Sequence, residues 1–247
     1  MTSTVHESAD TVHERVPTRF TRVPTRITGV PTRIAGVPTR IPDRVCCMTE
    51  HTAAATRPPD PGQRIVWIDC EMTGLDLTSD ALVEIACVVT EGDLTPVDAG
   101  VSVVIKPPDE PWAAMDPVVV QMHEESGLTD EIPTGVTLAE AGRIVFDYVR
   151  SHVPEARKAP LGGSTIYVDR GFLARDLPEL DAHLHYRVID VSSIKELLKR
   201  WYPPVYYASP QKTGNHRAMG DILDSIAELR YYREAAIAPV PRAEPSS

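Results

Sequence analysis

Ile65-Val66-Trp67-Ile68-Asp69-Cys70-Glu71-Met72-Thr73-Gly74-Leu75 reads as an apolar β-strand that ends by presenting two carboxylates two residues apart. Side chains alternate faces along a strand, so Asp69 and Glu71 share one face while Ile68 and Cys70 turn to the other. Two carboxylates on one face repel unless positive charge lies between them, and a divalent metal supplies it with a preference for oxygen ligands. Such a site needs further acidic ligands. Asp169 and Asp221 are the candidates, and His216 lies close to the second.

Downstream, Leu82–Thr90 and Val101–Lys106 are β-branched runs bounded by Gly, Asp and Pro, and read as two more strands after Ile65–Asp69. A helix is expected around Val118–Ser126. Leu138–Val153 places Ala141, Ile144, Val145, Tyr148 and Val149 at helical spacing. Leu161–Ile166 reads as a short strand, Asp169–His185 as one or two helices, and Arg187–Asp190 as another strand. Ser192–Trp201 reads as a helix with Ser192 as its cap and Glu196 close to a capping-box position. Tyr202–Gly214 is a loop punctuated by Pro and Gly. Asn215 or His216 then opens a last helix through Asp221, Ile222, Ile226, Leu229 and Tyr232. Three strands followed by alternating helices and strands indicate an α/β fold, a mixed sheet flanked by helices.

The first sixty or so residues differ in kind. Val-Pro-Thr-Arg recurs at 16–19, 23–26, 30–33 and 37–40, and the same seven-residue period links Val5-His6-Glu7 to Val12-His13-Glu14. A proline in every repeat removes a helical donor and excludes a coiled coil. The stretch reads as extended, partly polyproline-like and disordered. The expected organisation is a disordered leader over 1–62, a folded domain over 63–237 and a flexible Pro-rich tail over 238–247. A tandem DNA repeat translated ahead of a true start at Met48 is the favoured origin of the leader, with a weakly basic tethering arm as the alternative.

Charge divides along the same boundary. Residues 1–62 hold eight Arg and six acidic residues, a balance of +2; the remaining 17 basic and 29 acidic residues give −12. A domain this acidic is a poor candidate for gripping long nucleic acid along a basic track. A short substrate in a small pocket with bound metal stays compatible. Cys46, Cys47, Cys70 and Cys87 form neither a disulfide framework nor a zinc spacing. No apolar run approaches the length of a membrane span, and the N-terminus lacks an apolar signal core. A cytoplasmic protein with no membrane partner is expected.

The acidic residues suit phosphodiester hydrolysis. Two metals roughly 3.5–4 Å apart can neutralise phosphoryl oxygens and stabilise the leaving oxygen, and carboxylates are their usual ligands. Asp69, Glu71, Asp169 and Asp221 would suffice. His216 is the natural general base, with an unperturbed pKa of about 6.5. A five-residue step is about 140° around a helix, so His216 and Asp221 would not share a helical face. His216 is therefore expected on the loop just before the helix.

Residues 64–237 closely resemble the oligoribonucleases, a family of the DEDDh exonuclease superfamily. The resemblance rests on Trp67-Ile68-Asp69-Cys70-Glu71-Met72-Thr73-Gly74-Leu75-Asp76, on His123-Glu124-Glu125-Ser126-Gly127-Leu128 and on Asp169-Arg170-Gly171-Phe172-Leu173. It continues through His185-Tyr186-Arg187, Asp190-Val191-Ser192-Ser193-Ile194-Lys195-Glu196-Leu197 and His216-Arg217-Ala218-Met219-Gly220-Asp221-Ile222. It implies a ribonuclease H-like fold, a homodimer, and 3′→5′ removal of 5′-mononucleotides from very short single-stranded RNAs, dinucleotides above all. By position it implies that Asp69, Glu71, Asp169 and Asp221 hold two divalent ions, Mg²⁺ or Mn²⁺, and that His216 is the base. It further implies that Leu75 wedges against the bases and that His123 lies near the 3′ nucleotide. Arg187, Ser192 and Lys195 would cap the 5′ phosphate, Thr165 would offer it a hydroxyl, and Tyr186 would come from across the dimer. Gly163-Ser164-Thr165 departs from the Gly-Asn-Ser usual in the family, so hydrogen bonds that set this turn are expected to be lost. A broader single-stranded DNA or RNA 3′ exonuclease is the alternative enzyme. A catalytically dead nucleotide-binding module would require loss of one of the five catalytic residues, and all five are present.

Overall fold

The computed structural model describes residues 63–212 and 216–237. The expectations for the repeat-containing leader and the C-terminal tail lie outside these residues. In chain order the elements are β1 (Ile65–Met72), β2 (Leu82–Thr90), β3 (Val101–Val104), α1 (Asp109–Ala113), α2 (Pro117–Glu125), α3 (Leu128–Glu131) and α4 (Leu138–His152). Then come β4 (Pro160–Gly163), α5 (Tyr167–Asp176), α6 (Pro178–His183), β5 (His185–Asp190), α7 (Val191–Trp201), α8 (Pro203–Tyr207) and α9 (Ala218–Ala236).

The strands form one sheet in the order β3-β2-β1-β4-β5. β1, β2 and β3 run antiparallel, and β4 and β5 join in parallel. This is the mixed sheet that the strand pattern predicts, in the ribonuclease H-like arrangement.

β1 sits at the centre, and its alternation sorts the core into two layers. Val66, Ile68, Cys70 and Met72 pack with Ile85, Cys87 and Val89 of β2 against α4, α5 and α6. Ile65 and Trp67 pack with Ala86 and Val88 against α7 and α9, chiefly on Val191, Leu198, Ala218, Ile222 and Ile226. Each fully buried aliphatic side chain contributes about 1.5–3 kcal/mol, so both faces of this strand are strongly specified. The Trp67 indole donates to Thr90 Oγ1 at 3.0 Å, which satisfies the one polar atom it buries.

Several element ends differ from expectation, β1 running on to Met72, β4 covering Pro160–Gly163, α5 starting at Tyr167 and β5 starting at His185. Asp190, not Ser192, caps α7: its carboxylate accepts the Ser192 amide at 2.9 Å from an extended backbone, while Ser192 is already helical. Glu196 then lies mid-helix, where it pairs with Arg200 instead of closing a capping box. The Pro- and Gly-punctuated segment after Trp201 contains the short helix α8. The last helix opens at Ala218 because His216 (φ +47°) and Arg217 (φ −125°, ψ 128°) both have non-helical backbones.

Candidate active site

Asp69 and Glu71 continue the Ile65–Trp67 row of β1, on the face that α9 covers. The apolar row ends in acid where the helix starts. One oxygen or more from each of Asp69, Glu71 and Asp221 lies within 4.8 Å of the others. Asp221 stands in the first turn of α9, which brings it down onto the strand end. Asp169 arrives by another route. β1 runs on beyond its last residue paired with β4, the Trp67–Gly162 step, and the Cys70 amide there donates to Asp169 Oδ1 at 2.9 Å. Asp169 is thereby fixed at the backbone between the two strand carboxylates. A register shift in the β1–β2 ladder falls immediately after Glu71, as bulges often do beside active sites.

All four carboxylates have raised pKa values, with burial the first cause, and charges within the group add to it at Asp69 and Glu71. Burial pushes Asp69 well up, and the charges of Asp169, Asp221 and Glu71 add to it. Glu71 is pushed up to about 8, first by burial and then by Asp221, Glu84 and Asp169. Asp169 is raised by burial, partly offset by the Cys70 amide, and Asp221 is raised by burial. Lys212 acts in the opposite sense on Asp69 and Asp221. Four oxygen-donor carboxylates that are costly to ionise together are what a hard divalent cation would relieve.

Leu75 is 72% exposed on the loop between β1 and β2. Thr73 Oγ1 donates to Asp80 Oδ1 at 2.9 Å and the Asp76 amide donates to Asp80 Oδ2 at 2.8 Å, which closes the loop at its base. Gly74 permits this closure, since a Cβ there would come within 2.4 Å of the Asp80 carboxylate. Arg175 on α5 holds the loop from outside: its guanidinium donates to the carbonyls of Leu77 and Asp80 (2.5 and 2.8 Å) while lying over the Phe172 ring. One helix therefore carries Asp169 and anchors the loop that presents Leu75. His123 is buried, with Nε2 at 2.9 Å from the Met72 carbonyl and no partner for Nδ1.

The residues expected around a terminal phosphate are only partly gathered. Asp190 Oδ1 accepts the amides of Thr165 (3.1 Å) and Ser192 (2.9 Å), which brings the two hydroxyls to 3.1 Å from each other at the start of α7. Thr165 adopts φ +58°, rarely populated by a β-branched residue. The turn does not lack hydrogen bonds: besides Asp190, Ser164 Oγ meets Ser225 Oγ of α9 at 2.9 Å. Lys195 points instead to α9, pairing at 2.8 Å with the buried Glu228. Arg187 lies over the ring of Tyr186, and Tyr186 is 73% exposed on the outer strand of the sheet.

His216 is exposed on the connection two residues before α9, where the angular argument places it. The sequence reading missed Glu84, Asp190, Arg175 and Lys212. Glu84 carried a signal, being the one charge in the otherwise apolar run of β2; it lies directly across from Glu71.

Comparison with known proteins agrees with this geometry. Residues 66–229 match the exonuclease family RNase_T. The chain is 58% identical over 178 residues to the oligoribonuclease of Streptomyces griseus, covering 72% of this chain and 89% of that protein. It is 56% identical over 179 residues to the oligoribonuclease of Rhodococcus jostii, covering 72% and 90%. Among solved structures, E. coli exonuclease I in complex with a 5cy-dT13 oligonucleotide superposes with a TM-score of 0.55 at 15% identity, over 70% of this chain and 41% of that one. A moderately thermophilic exonuclease I from Methylocaldum szegediense gives 0.52 at 19% identity, over 70% and 41%. The chain spans about two-fifths of those structures, and they show the fold alone. With its carboxylates gathered at one strand end and this degree of identity across most of the relatives' length, the chain belongs to the oligoribonuclease family of the DEDDh exonucleases.

Proposed function

We propose that the protein is a 3′→5′ exoribonuclease that degrades very short RNAs to 5′-mononucleotides, with 5′-phosphorylated dinucleotides its foremost substrates. The observation that carries this reading is the convergence of Asp69, Glu71 and Asp221 oxygens within 4.8 Å, with Asp169 tied to the strand between them. Two divalent ions, Mg²⁺ or Mn²⁺, would be held by these four carboxylates. Bound there, such ions neutralise phosphoryl oxygens and polarise the attacking water.

The chain's own residues supply the remainder. His216 takes the water's proton on an imidazole nitrogen from its exposed connection beside Asp221. Leu75 presses on the bases from its anchored loop, and His123 orders the base of the same region through the Met72 carbonyl. The Thr165 and Ser192 hydroxyls at the start of α7 offer a terminal-phosphate pocket, favoured by the helix N-terminus, and Arg187 on β5 adds positive charge, while Lys195 is engaged by Glu228 of α9. A pocket closed on a 5′ phosphate measures length by leaving no room for a longer strand.

The exposed Tyr186 fits a contribution across a homodimer. β5 is an edge strand, and Tyr186, Val188, Leu197 and Trp201 of β5 and α7 are all exposed. Among the described residues no helix is long and apolar enough to cross a membrane, and Cys70 and Cys87 are free thiols. The reading places the enzyme in the cytoplasm.

Turnover of a 5′-phosphorylated diribonucleotide against a heptaribonucleotide with Mn²⁺, with Asp69→Ala as control, tests the proposal. Preference for the dinucleotide, lost in Asp69→Ala, is expected. Equal or faster cleavage of the longer RNA would leave a 3′ exonuclease but remove the length limit.

A further inference from the structure

Arg217 separates His216 from α9, and its guanidinium is held from two sides. Nε and Nη2 donate to Glu84 at 3.2 and 3.1 Å, and Nη1 and Nη2 donate to Glu131 of α3 at 2.8 and 3.0 Å. Glu84 is 1% exposed. Besides Arg217 it accepts Ser102 Oγ at 2.8 Å and the Ala218 amide at 3.2 Å. Arg217 occupies the N-cap position of α9 but makes no cap with its own side chain. Glu84 performs that task from β2, taking the first amide of the helix.

Glu84 also faces Glu71 across the β1–β2 ladder, on the same side of the sheet. With four hydrogen bonds already accepted, it is committed to the helix start and lies outside the carboxylate group that closes within 4.8 Å. A single rigid path therefore runs from the strand pair bearing Asp69 and Glu71, through Glu84, to the Arg217 side chain and the first amide of α9. His216, with φ +47°, is the residue immediately before this anchor, and Asp221 is one turn after it.

We propose that Glu84 and Arg217 are a positioning pair that sets His216 and Asp221 against Asp69 and Glu71. The inference rests on the reading of Asp221 as a metal ligand and His216 as the base. Neither Glu84 nor Arg217 touches substrate in this role. Displacement of a catalytic group by about 1 Å can cost on the order of 10²-fold in rate, so loss of the anchor is read in kcat.

The test uses the full chain with Arg217→Lys, which keeps the charge but not the fork, Glu84→Gln, which keeps the shape but not the charge, and the double variant. Each is assayed below its own Tm for kcat and KM on a 5′-phosphorylated diribonucleotide. Calorimetry of Mn²⁺ binding to the metal-free protein gives a second readout. The expected result is a fall in kcat of about 10- to 100-fold with KM changed less than about threefold, together with weaker Mn²⁺ binding. The double variant should be no worse than the poorer single one, because both act through one path. Wild-type kcat and Mn²⁺ affinity in variants whose Tm alone has dropped would overturn the proposal, as would a loss confined to KM. Full activity in Asp221→Asn and His216→Ala would instead overturn the site reading beneath it.

Discussion

Asp169 Oδ1 accepts the Cys70 amide at 2.9 Å, so a carboxylate of α5 is tied to the backbone between Asp69 and Glu71. Its two contributions separate by substitution. Asp169→Ala removes the acceptor and strands a buried N–H, at about 1–3 kcal/mol. Asp169→Asn keeps an acceptor and removes the charge. In metal-free protein its Tm should be at or above wild type, while dinucleotide turnover falls by at least about 10²-fold. Melting curves in EDTA beside turnover in Mn²⁺ check this, and an active Asp169→Asn enzyme would sink the ligand role.

The raised carboxyl pKa values fix the sign of a pH effect on stability. A carboxyl whose pKa is higher in the fold than in the unfolded chain favours folding below its unfolded pKa. That contribution disappears as pH rises through the folded value. For Glu71 the window runs from the ordinary 4.5 to about 8. Metal-free protein should lose Tm across this range, and Glu71→Gln should flatten the slope. Mn²⁺ should raise Tm more at pH 8 than at pH 5.5, because protons compete for the same oxygens. A Glu71→Gln profile parallel to wild type would contradict the assignment.

His216→Ala should lower kcat by about 10²–10⁴-fold with little change in KM or in Mn²⁺ affinity. Steady-state kinetics with calorimetry decide it. An effect confined to KM would recast His216 as a binding residue.

Arg175 grips the Leu77 and Asp80 carbonyls, so Arg175→Ala should free the loop bearing Leu75 without disturbing the carboxylates. KM for dinucleotides should rise by about tenfold, equivalent to about 1.4 kcal/mol, at nearly constant kcat. Gly74→Ala should act in the same direction by forcing Asp80 away from Thr73. A kcat loss at constant KM would place the effect in the metal site instead.

What the sequence discloses follows from the range of the interactions. Asp69 and Glu71 share a face because strand alternation is local, and His216 falls on a loop because five residues do not close on one side of a helix. The central strand and its neighbours are legible for the same reason. The convergence of Asp169 and Asp221 on that strand is long-range, and is implied instead by the metal's need for acidic ligands and by the family resemblance. Asp190 and Ser192 are both good cap formers two residues apart, and only the backbone at Asp190 decides between them. Glu84 and Arg217 are separated by 133 residues, so their pairing is invisible to any local pattern, though a lone charge in an apolar strand marks Glu84 as constrained. Lys195 belongs to the recognised family string, yet its ammonium meets Glu228 on α9, a contact that exists only once the two helices pack.

β1 is paired with β2 along its length, joined by β4 at Val66 and Trp67, and covered on both faces, whereas Leu75 and His216 sit on exposed connections. Local opening is easiest where few contacts must break. On the proposed reading, Leu75 and His216 should therefore loosen on warming before the strand carboxylates come apart. Turnover is then expected to decline reversibly below the melting transition while Mn²⁺ binding persists, which a temperature profile of turnover beside calorimetry checks.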